Sequence, residues 1–349
     1  MLQWLAFSAD AISLEEGVEV LATDPDADDD LLFDPGRRPW EPRQIVYICP
    51  SLVTTFKRQI DSYFIHTTEP TRLRLAHFSV REYLTSDYLR QCDNTLSFFH
   101  FDQKIANTTI AKTCLAYLLQ FTQHGCINSS TNESYPLSDY AAERWMDHAR
   151  EDGGDSDSLH RLIMDLLQPH DAMFTNWLVL RAGGTSRDKS APLYYTSSGG
   201  LKRATECLLE EGSDANAAKG YRSALQAASY EGHEDIVRLL LGKGADVNML
   251  GGDYPHSAIQ LASSGGHEGI VRLLLDKGAD VNPPGENGSA LQGASYYGHD
   301  SIVRMLLANG AEVNIQGKDG SALQAASSRG DEDIVRLLLD KGADVNIRG

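Results

Sequence analysis

Three histidines, His233, His267 and His299, recur at intervals of 34 and 32 residues. Imidazole nitrogens are common zinc ligands and the usual proton carriers near neutral pH. Metal chemistry needs ligands that converge, in spacings such as His-Glu-x-x-His. Here each histidine instead opens the same phrase. The copies are "GHEDIVRLLLGKGADVN" from Gly232, "GHEGIVRLLLDKGADVN" from Gly266 and "GHDSIVRMLLANGAEVN" from Gly298. A fourth copy, "GDEDIVRLLLDKGADVN" from Gly330, has Asp331 in the histidine slot. A catalytic motif is usually written once, whereas a phrase written four times in tandem is a building unit. The three imidazoles are therefore expected to bond loop backbone between units.

The other candidate chemistry is equally weak. His148, His160 and His170 with Asp147 and Asp165 can be drawn as a metal cluster, but no ligand spacing supports it. The run "DPDADDD" (Asp24 to Asp30) lacks the alternating acids, glycine and distal Glu of a calcium loop and reads as a solvated loop. "GGTSRDKS" from Gly183 lacks the second glycine that a phosphate cradle requires before its lysine. No Gly-x-Ser-x-Gly elbow is present either. The five cysteines (Cys49, Cys92, Cys114, Cys126 and Cys207) are scattered, odd in number and free of any Cys-x-x-Cys pair. They read as free thiols in a reducing compartment. No catalytic residue, metal or cofactor is expected, and no small-molecule substrate.

The elements that position these residues are repeats. Aligned on Leu193, Leu225, Ile259, Leu291 and Leu323, the carboxy-terminal half gives five units offset by 32, 34, 32 and 32 residues. A period near 33 points to a helix–turn–helix solenoid. Four units open on Ser with Gln three places later: Ser223/Gln226, Ser257/Gln260, Ser289/Gln292 and Ser321/Gln324. That spacing is a capping box, in which the Ser oxygen takes an orphan N–H and the Gln reaches back to the cap's own N–H. A short first helix with small residues follows, ended by Gly232 or its equivalent. The second helix carries Ile236, Val237, Leu240 and Leu241 at helical spacing. Acids (Glu234, Asp235) open it, Lys243 lies near its end and Gly244 supplies a left-handed turn.

On these residues the array, over residues 187–349, resembles ankyrin repeats. One departure is consistent: the family's Thr-Pro-Leu-His is Ser-Ala-Leu-Gln here, and the capping box explains the exchange. The units run 189–220, 221–253, 254–287, 288–319 and 320–349. The first is irregular, with Ala191 at the cap and Tyr194 in place of Gln. The resemblance implies a stack whose neighbours bury a common core and present an extended concave face. After "NIRG" no polar capping unit follows, so Ile334, Val335 and Leu338 are expected near an unprotected end, the array being truncated or its last unit frayed.

Residues that keep the fold must repeat, while residues that read a partner need not. The positions that vary close the first helix (Tyr230/Glu231, Ser264/Gly265, Tyr296/Tyr297, Ser328/Arg329) or lie in the loop tips "MLGGDYPH", "PPGEN" and "IQGKD". Exposed Tyr and Arg are enriched among interface anchors. Tyr230, Glu231, Tyr254, Tyr296, Tyr297 and Arg329 are the candidate protein-binding residues.

Residues 1–90 alternate short helices and strands. Ser13 with Glu16 forms a capping box, "PRQIVYICPSLVTTF" reads as a helix running into a strand, and "TRLRLAHFSVREYLTSDYL" as a strand followed by a helix capped by Ser79 and Glu82. Such a unit suggests a winged helix. "AHFSVREYLTS" is similar to the segment following the nucleotide-binding NACHT module in fungal NLR-like proteins, where winged helix, helical connector and ankyrin repeats succeed one another. The connector here is residues 91–186, with apolar stripes in "AKTCLAYLLQF" and "LHRLIMDLL" and with Trp145 and Trp177 as core anchors. No Walker motif is present, so the family's nucleotide switching transfers to no residue of this chain.

The fold class expected is mainly α: an ankyrin solenoid preceded by a small winged-helix domain and a helical connector. The net charge of −18, and −6 over residues 1–90 from nine Lys/Arg against fifteen Asp/Glu, opposes nucleic-acid binding. No apolar run approaches a membrane span, and the first residues lack the basic stretch and cleavage site of a secretory signal. The function expected is a non-enzymatic scaffold for a protein partner, the sensing part of a NACHT-type signalling protein in the cytoplasm or nucleus. The alternatives are a winged-helix nucleic-acid-associated regulator and an enzyme in the connector.

Overall fold

The computed structural model describes residues 1–27, 32–39, 41–48, 50–57, 70–91, 99–122, 127, 134–168, 172–182, 191–217, 222–251, 256–283, 288–317 and 320–347. The chain is mainly helical and divides into two compact units, Met1–Arg187 and Asp188–Gly349.

The first unit opens with α1 (Leu2–Phe7) and α2 (Leu14–Ala22). The capping box of α2 is closed: Glu16 N donates to Ser13 Oγ at 3.0 Å, and Ser13 N donates to the Glu16 carboxylate. α3 (Gln44–Ile48) leads into β1 (Val53–Phe56), which pairs antiparallel with β2 (Arg72–Leu75), Val53 opposite Leu75 and Phe56 opposite Arg72. This pair is the one sheet among the described residues. α4 (Phe78–Leu84) and α5 (Asp87–Arg90) follow. The expected Ser79/Glu82 box is not what starts α4. The helix begins one residue before Ser79, and His77, held in an extended conformation, caps it by accepting from Ser79 N at 3.2 Å. An imidazole acceptor one position outside the first turn satisfies the same orphan N–H that a hydroxyl would.

α6 (Gln103–Leu118) is the centre of this unit. Asp102 caps it by accepting from Lys104 N and Ile105 N at 2.9 and 3.1 Å. The sequence suggests a striped helix, yet every residue from Ile110 to Leu118 is buried, because α1, α7 (Ser138–Glu151) and α8 (Asp157–Leu166) pack around it. A helix surrounded on all sides needs no polar stripe. Its one charged residue there, Lys112, reaches the surface to pair with Asp26, and Asp24 pairs with Arg37 at 3.0 Å. The described part of the acidic run is therefore tied to the fold; Asp28, Asp29 and Asp30 lie outside the described residues. α9 (Ala172–Arg181) packs on α7, with Trp145 and Trp177 edge to face at 5.8 Å, both fully buried. Trp177 Nε1 donates to the Ala142 carbonyl at 3.0 Å.

The second unit is five helix pairs. The first helices are α10 (Pro192–Ser198), α12 (Ala224–Glu231), α14 (Ala258–Ser264), α16 (Ala290–Tyr297) and α18 (Ala322–Arg329). Their partners are α11 (Lys202–Glu210), α13 (Glu234–Gly242), α15 (Glu268–Asp276), α17 (Asp300–Ala308) and α19 (Glu332–Asp340). First helices stack on first helices, second on second, and each pair closes on itself. Small residues on the first row permit that approach. Gly232 ends α12 at φ 83°, and Gly244 turns the chain after α13 at φ 89°. Ile236, Val237 and Leu240 and their counterparts form the continuous core.

The last pair corrects one expectation. Ile334 and Leu338 are fully buried, because they face α18 and α17 within the stack. Val335 opens: it is half-buried, where Val237, Val271 and Val303 are fully covered, and Leu339 is exposed where Leu241, Leu275 and Leu307 are half-buried.

Candidate functional site

The site is built on a backbone ladder. Each repeat histidine bonds the turn of the preceding unit: His233 Nε2 to the Ser198 carbonyl at 3.0 Å, His267 to Tyr230 at 2.9 Å and His299 to Ser264 at 3.2 Å. Asp331, in the same slot, serves its own helix instead, accepting from Ile334 N at 3.2 Å. No group of three His, Cys, Asp or Glu side chains among the described residues could hold a metal ion. His170 lies outside the described residues, as does the stretch 183–190 that mimics a phosphate loop.

Two further ladders were not legible as roles. The Asn that ends each copied phrase bridges to the next unit. Asn248 Nδ2 donates to the Gly278 carbonyl at 3.2 Å, and its Oδ1 accepts from Asp280 N at 2.8 Å. Asn216, Asn282 and Asn314 repeat the pattern. The Gln of the capping box is also used twice. Gln260 Oε1 accepts from Ser257 N at 2.6 Å while its Nε2 donates to the Gly288 carbonyl at 2.5 Å. Gln226 and Gln324 do the same, to Met249 and His256 and to Ile347. The recurrence of both residues in the sequence was the available signal; what hid their role is that the partner lies 23 to 32 residues away. The fourth box is half-made. Gln292 N donates to Ser289 Oγ at 3.0 Å, but the return bond to Ser289 N is not formed.

On this scaffold, α14, α16 and α18 with the turns before them enclose a groove of about 890 Å³. Its floor is small and polar, with Ser264, Gly293 and Gln292; Tyr296 and Tyr297 stand at one end. A Cβ at Gly293 would meet the Ser264 hydroxyl, which would have to turn away to admit it. The two tyrosines meet edge to face at 5.0 Å, and Tyr297 stacks on His299 at 6.2 Å. Arg329 lies over Tyr296, its guanidinium carbon 5.8 Å from the ring centre. Of the candidate residues the structure thus brings Tyr296, Tyr297 and Arg329 together. Tyr230 stands on α12 under Arg222 at 4.5 Å, outside the groove lining, with Glu231 exposed beside it. Tyr254 lies outside the described residues.

The second helices carry an ordered charge pattern. Arg238, Arg272, Arg304 and Arg336 each pair with an acid one turn earlier on the same helix. The hydrogen bond from Arg304 to Asp300, with their charge attraction, pushes the Arg304 pKa up. In the groove, burial and the nearby Arg222 charge push the His256 pKa down.

The first unit holds one buried polar relay. Ala9 N donates to Tyr140 Oη at 3.1 Å, and the hydroxyl donates to His148 Nε2 at 2.8 Å, the nitrogen left bare because Nδ1 faces the acceptor Asn107 Oδ1. His148 Nδ1 then carries the proton and donates to Asn107 Oδ1 at 2.7 Å. Burial pushes the His148 pKa down to about 4, in keeping with a neutral ring, and pushes the Tyr140 hydroxyl up. The buried Cys114 thiol is pushed up for the same reason. No helix among the described residues is long and apolar enough to cross a membrane.

Comparison with known proteins agrees with this architecture. The family described as "Ankyrin repeats (3 copies)" matches residues 145–251 and 249–317, and "Ankyrin repeat" matches residues 320–349. The first match begins inside the first unit, upstream of α10. The chain is also 33% identical over 269 residues to the "Azaphilone pigments biosynthesis cluster protein L" of Monascus ruber, covering 71% of this chain and 55% of that protein. The chain therefore spans about half the length of that relative.

Proposed function

Because the chain belongs to the ankyrin-repeat proteins, we propose that it is a non-enzymatic scaffold that captures a protein partner. Partner contact falls on the first helices and loop tips, at Tyr230, Glu231, Tyr254, Tyr296, Tyr297 and Arg329. One observation carries this reading: the positions that hold the stack are near-identical from unit to unit, while those that close the first helices, Ser264, Tyr296, Tyr297 and Ser328 at the groove among them, differ. The Tyr296–Tyr297 pair is the centre of that surface, with Tyr297 54% exposed on a rigid helix. Large side chains fixed in the free protein lose little freedom on binding.

Residues 1–90 serve in this proposal as a winged-helix-like base and residues 91–186 as the connector. The helix–strand–strand–helix order of α3, β1, β2 and α4 supports the former. The whole is the sensing portion of a NACHT-type signalling protein, working in the cytoplasm or nucleus. Nothing in the mechanism needs a cofactor: a bound partner alters how the scaffold presents itself to the signalling module.

The test is the double substitution Tyr296→Ala/Tyr297→Ala. Capture of the partner from a native extract falls about tenfold or more, while the helical signal in circular dichroism is unchanged. Loss of helicity in step with capture makes the two tyrosines structural. Full capture by the variant removes them from the binding surface.

A further inference from the structure

Gln292 differs from its three counterparts. Gln226, Gln260 and Gln324 use both ends of the side-chain amide, one on the cap and one on the following loop. Gln292 is 8% exposed and lines the groove, yet its amide makes neither bond among the described residues. The polar end of that carboxamide is open to the groove, where a ligand's donor and acceptor can complete it.

The arginines beside the groove differ too, although neither Arg222 nor Arg329 is part of its lining. Those on the second helices are neutralised within their own helix. Arg222 and Arg329 form no ion pair among the described residues and lie instead over Tyr230 and Tyr296. None of the described residues that line the groove is a carboxylate. Glu231 is exposed beside Tyr230 and does not line it. On a chain of net charge −18, a groove with no carboxylate among its described lining residues adds little repulsion of its own to a negative ligand.

We propose that the groove takes an acidic, extended segment of a partner protein. The inference rests on the reading of the repeats as a partner-binding array and names the chemistry of what binds. A main-chain peptide group of the segment donates to Gln292 Oε1 and accepts from its Nε2. The backbone comes close over Gly293, where no side chain stands in the way. Tyr296 and Tyr297 flank the side chain that follows, and carboxylates on the segment meet Arg329 and Arg222. Guanidinium planes already held over tyrosine rings need little ordering to receive them.

The experiment titrates the full chain into two fluorescein-labelled peptides, a Glu–Gly–Tyr copolymer and its Lys–Gly–Tyr counterpart, following anisotropy. The acidic peptide binds more tightly than the basic one, and added salt weakens it. Arg222→Gln/Arg329→Gln weakens it about tenfold. Arg222→Lys/Arg329→Lys keeps most of the binding, and Gln292→Ala weakens the acidic peptide with both arginines present. Circular dichroism of each variant confirms the fold. Equal binding of the two peptides, or acidic binding indifferent to the arginine-to-glutamine change, overturns the inference. If capture of the natural partner still depends on Tyr296 and Tyr297 in that case, the scaffold reading stands and only the acidic chemistry falls. If capture is indifferent to the tyrosines as well, the scaffold reading falls with it.

Discussion

The two units of this chain hold together by opposite means. In the first, the polar contacts of the core are single and long in sequence: Ala9 to Tyr140 spans 131 positions, Tyr117 to Glu19 spans 98, and His148 to Asn107 spans 41. In the second the copied polar contacts lie on an exposed edge, the Asn ladder returning at separations of 28 to 32. A defect in the first unit therefore has no duplicate to share its load. A defect in the second is confined to one junction between neighbours. The same contrast explains why the second unit can afford variable groove residues: the ladder on its edge leaves them free of structural duty.

The largest expected break comes from His148. In the folded unit it stays neutral down to about pH 4, whereas an unfolded histidine takes its proton near 6.5. Below pH 6.5 the unfolded chain binds a proton that the folded one refuses. Stability of the first unit is therefore full above that value and is lost as pH falls towards 4, by on the order of 3 kcal/mol from this residue. Below 4 both states are protonated and no more is lost. Denaturation of wild type and His148→Gln across this window gives a steeper acid loss in wild type. An imidazole resonance titrating near 6.5 in the folded chain contradicts the buried relay.

A smaller and local effect is expected from Asn248→Ala. It removes the two bonds that Asn248 makes to the third unit of the array, each exposed and worth about 0.5–1.5 kcal/mol. Asn282→Ala, at the next junction, costs a similar amount because its geometry is the same. Hydrogen exchange then rises around the altered junction and not in the first unit. Exchange that rises evenly through the chain would mean the array unfolds as one block, which removes the contrast drawn above.

How far each unit could be read from sequence follows from this difference. The repeats announce themselves because one solution is written several times, so Ser–Gln spacing and the Gly-Ala-Asp-Val-Asn phrase fix helices, turns and stacking. Even there, a partner one unit away hid the second use of Gln260 and the bridge made by Asn248. The first unit gives less. Ser79 reads as a cap, yet His77 takes that place, because the choice depends on a backbone conformation that composition does not encode. The apolar stripe read along "AKTCLAYLLQF" belongs to a helix enclosed on all sides, which only tertiary packing reveals. Tyr140, His148 and Asn107 carry no pattern at all; three residues from two helices meet only in the fold.

The glutamines give the finest test, since they place the departure inside the array itself. Gln260→Ala removes two bonds and leaves Ser257 N and the Gly288 carbonyl unserved, for a loss of about 2 kcal/mol. Gln292→Ala removes a side chain with no such bonds and changes stability by about 0.5 kcal/mol or less. The order reverses in binding, where Gln292 matters and Gln260, turned to its own stack, does not. Urea denaturation and peptide titration of the same two variants separate a residue kept for the fold from one kept for a ligand. Equal losses in both measurements would show that the fourth box closes in solution like the other three.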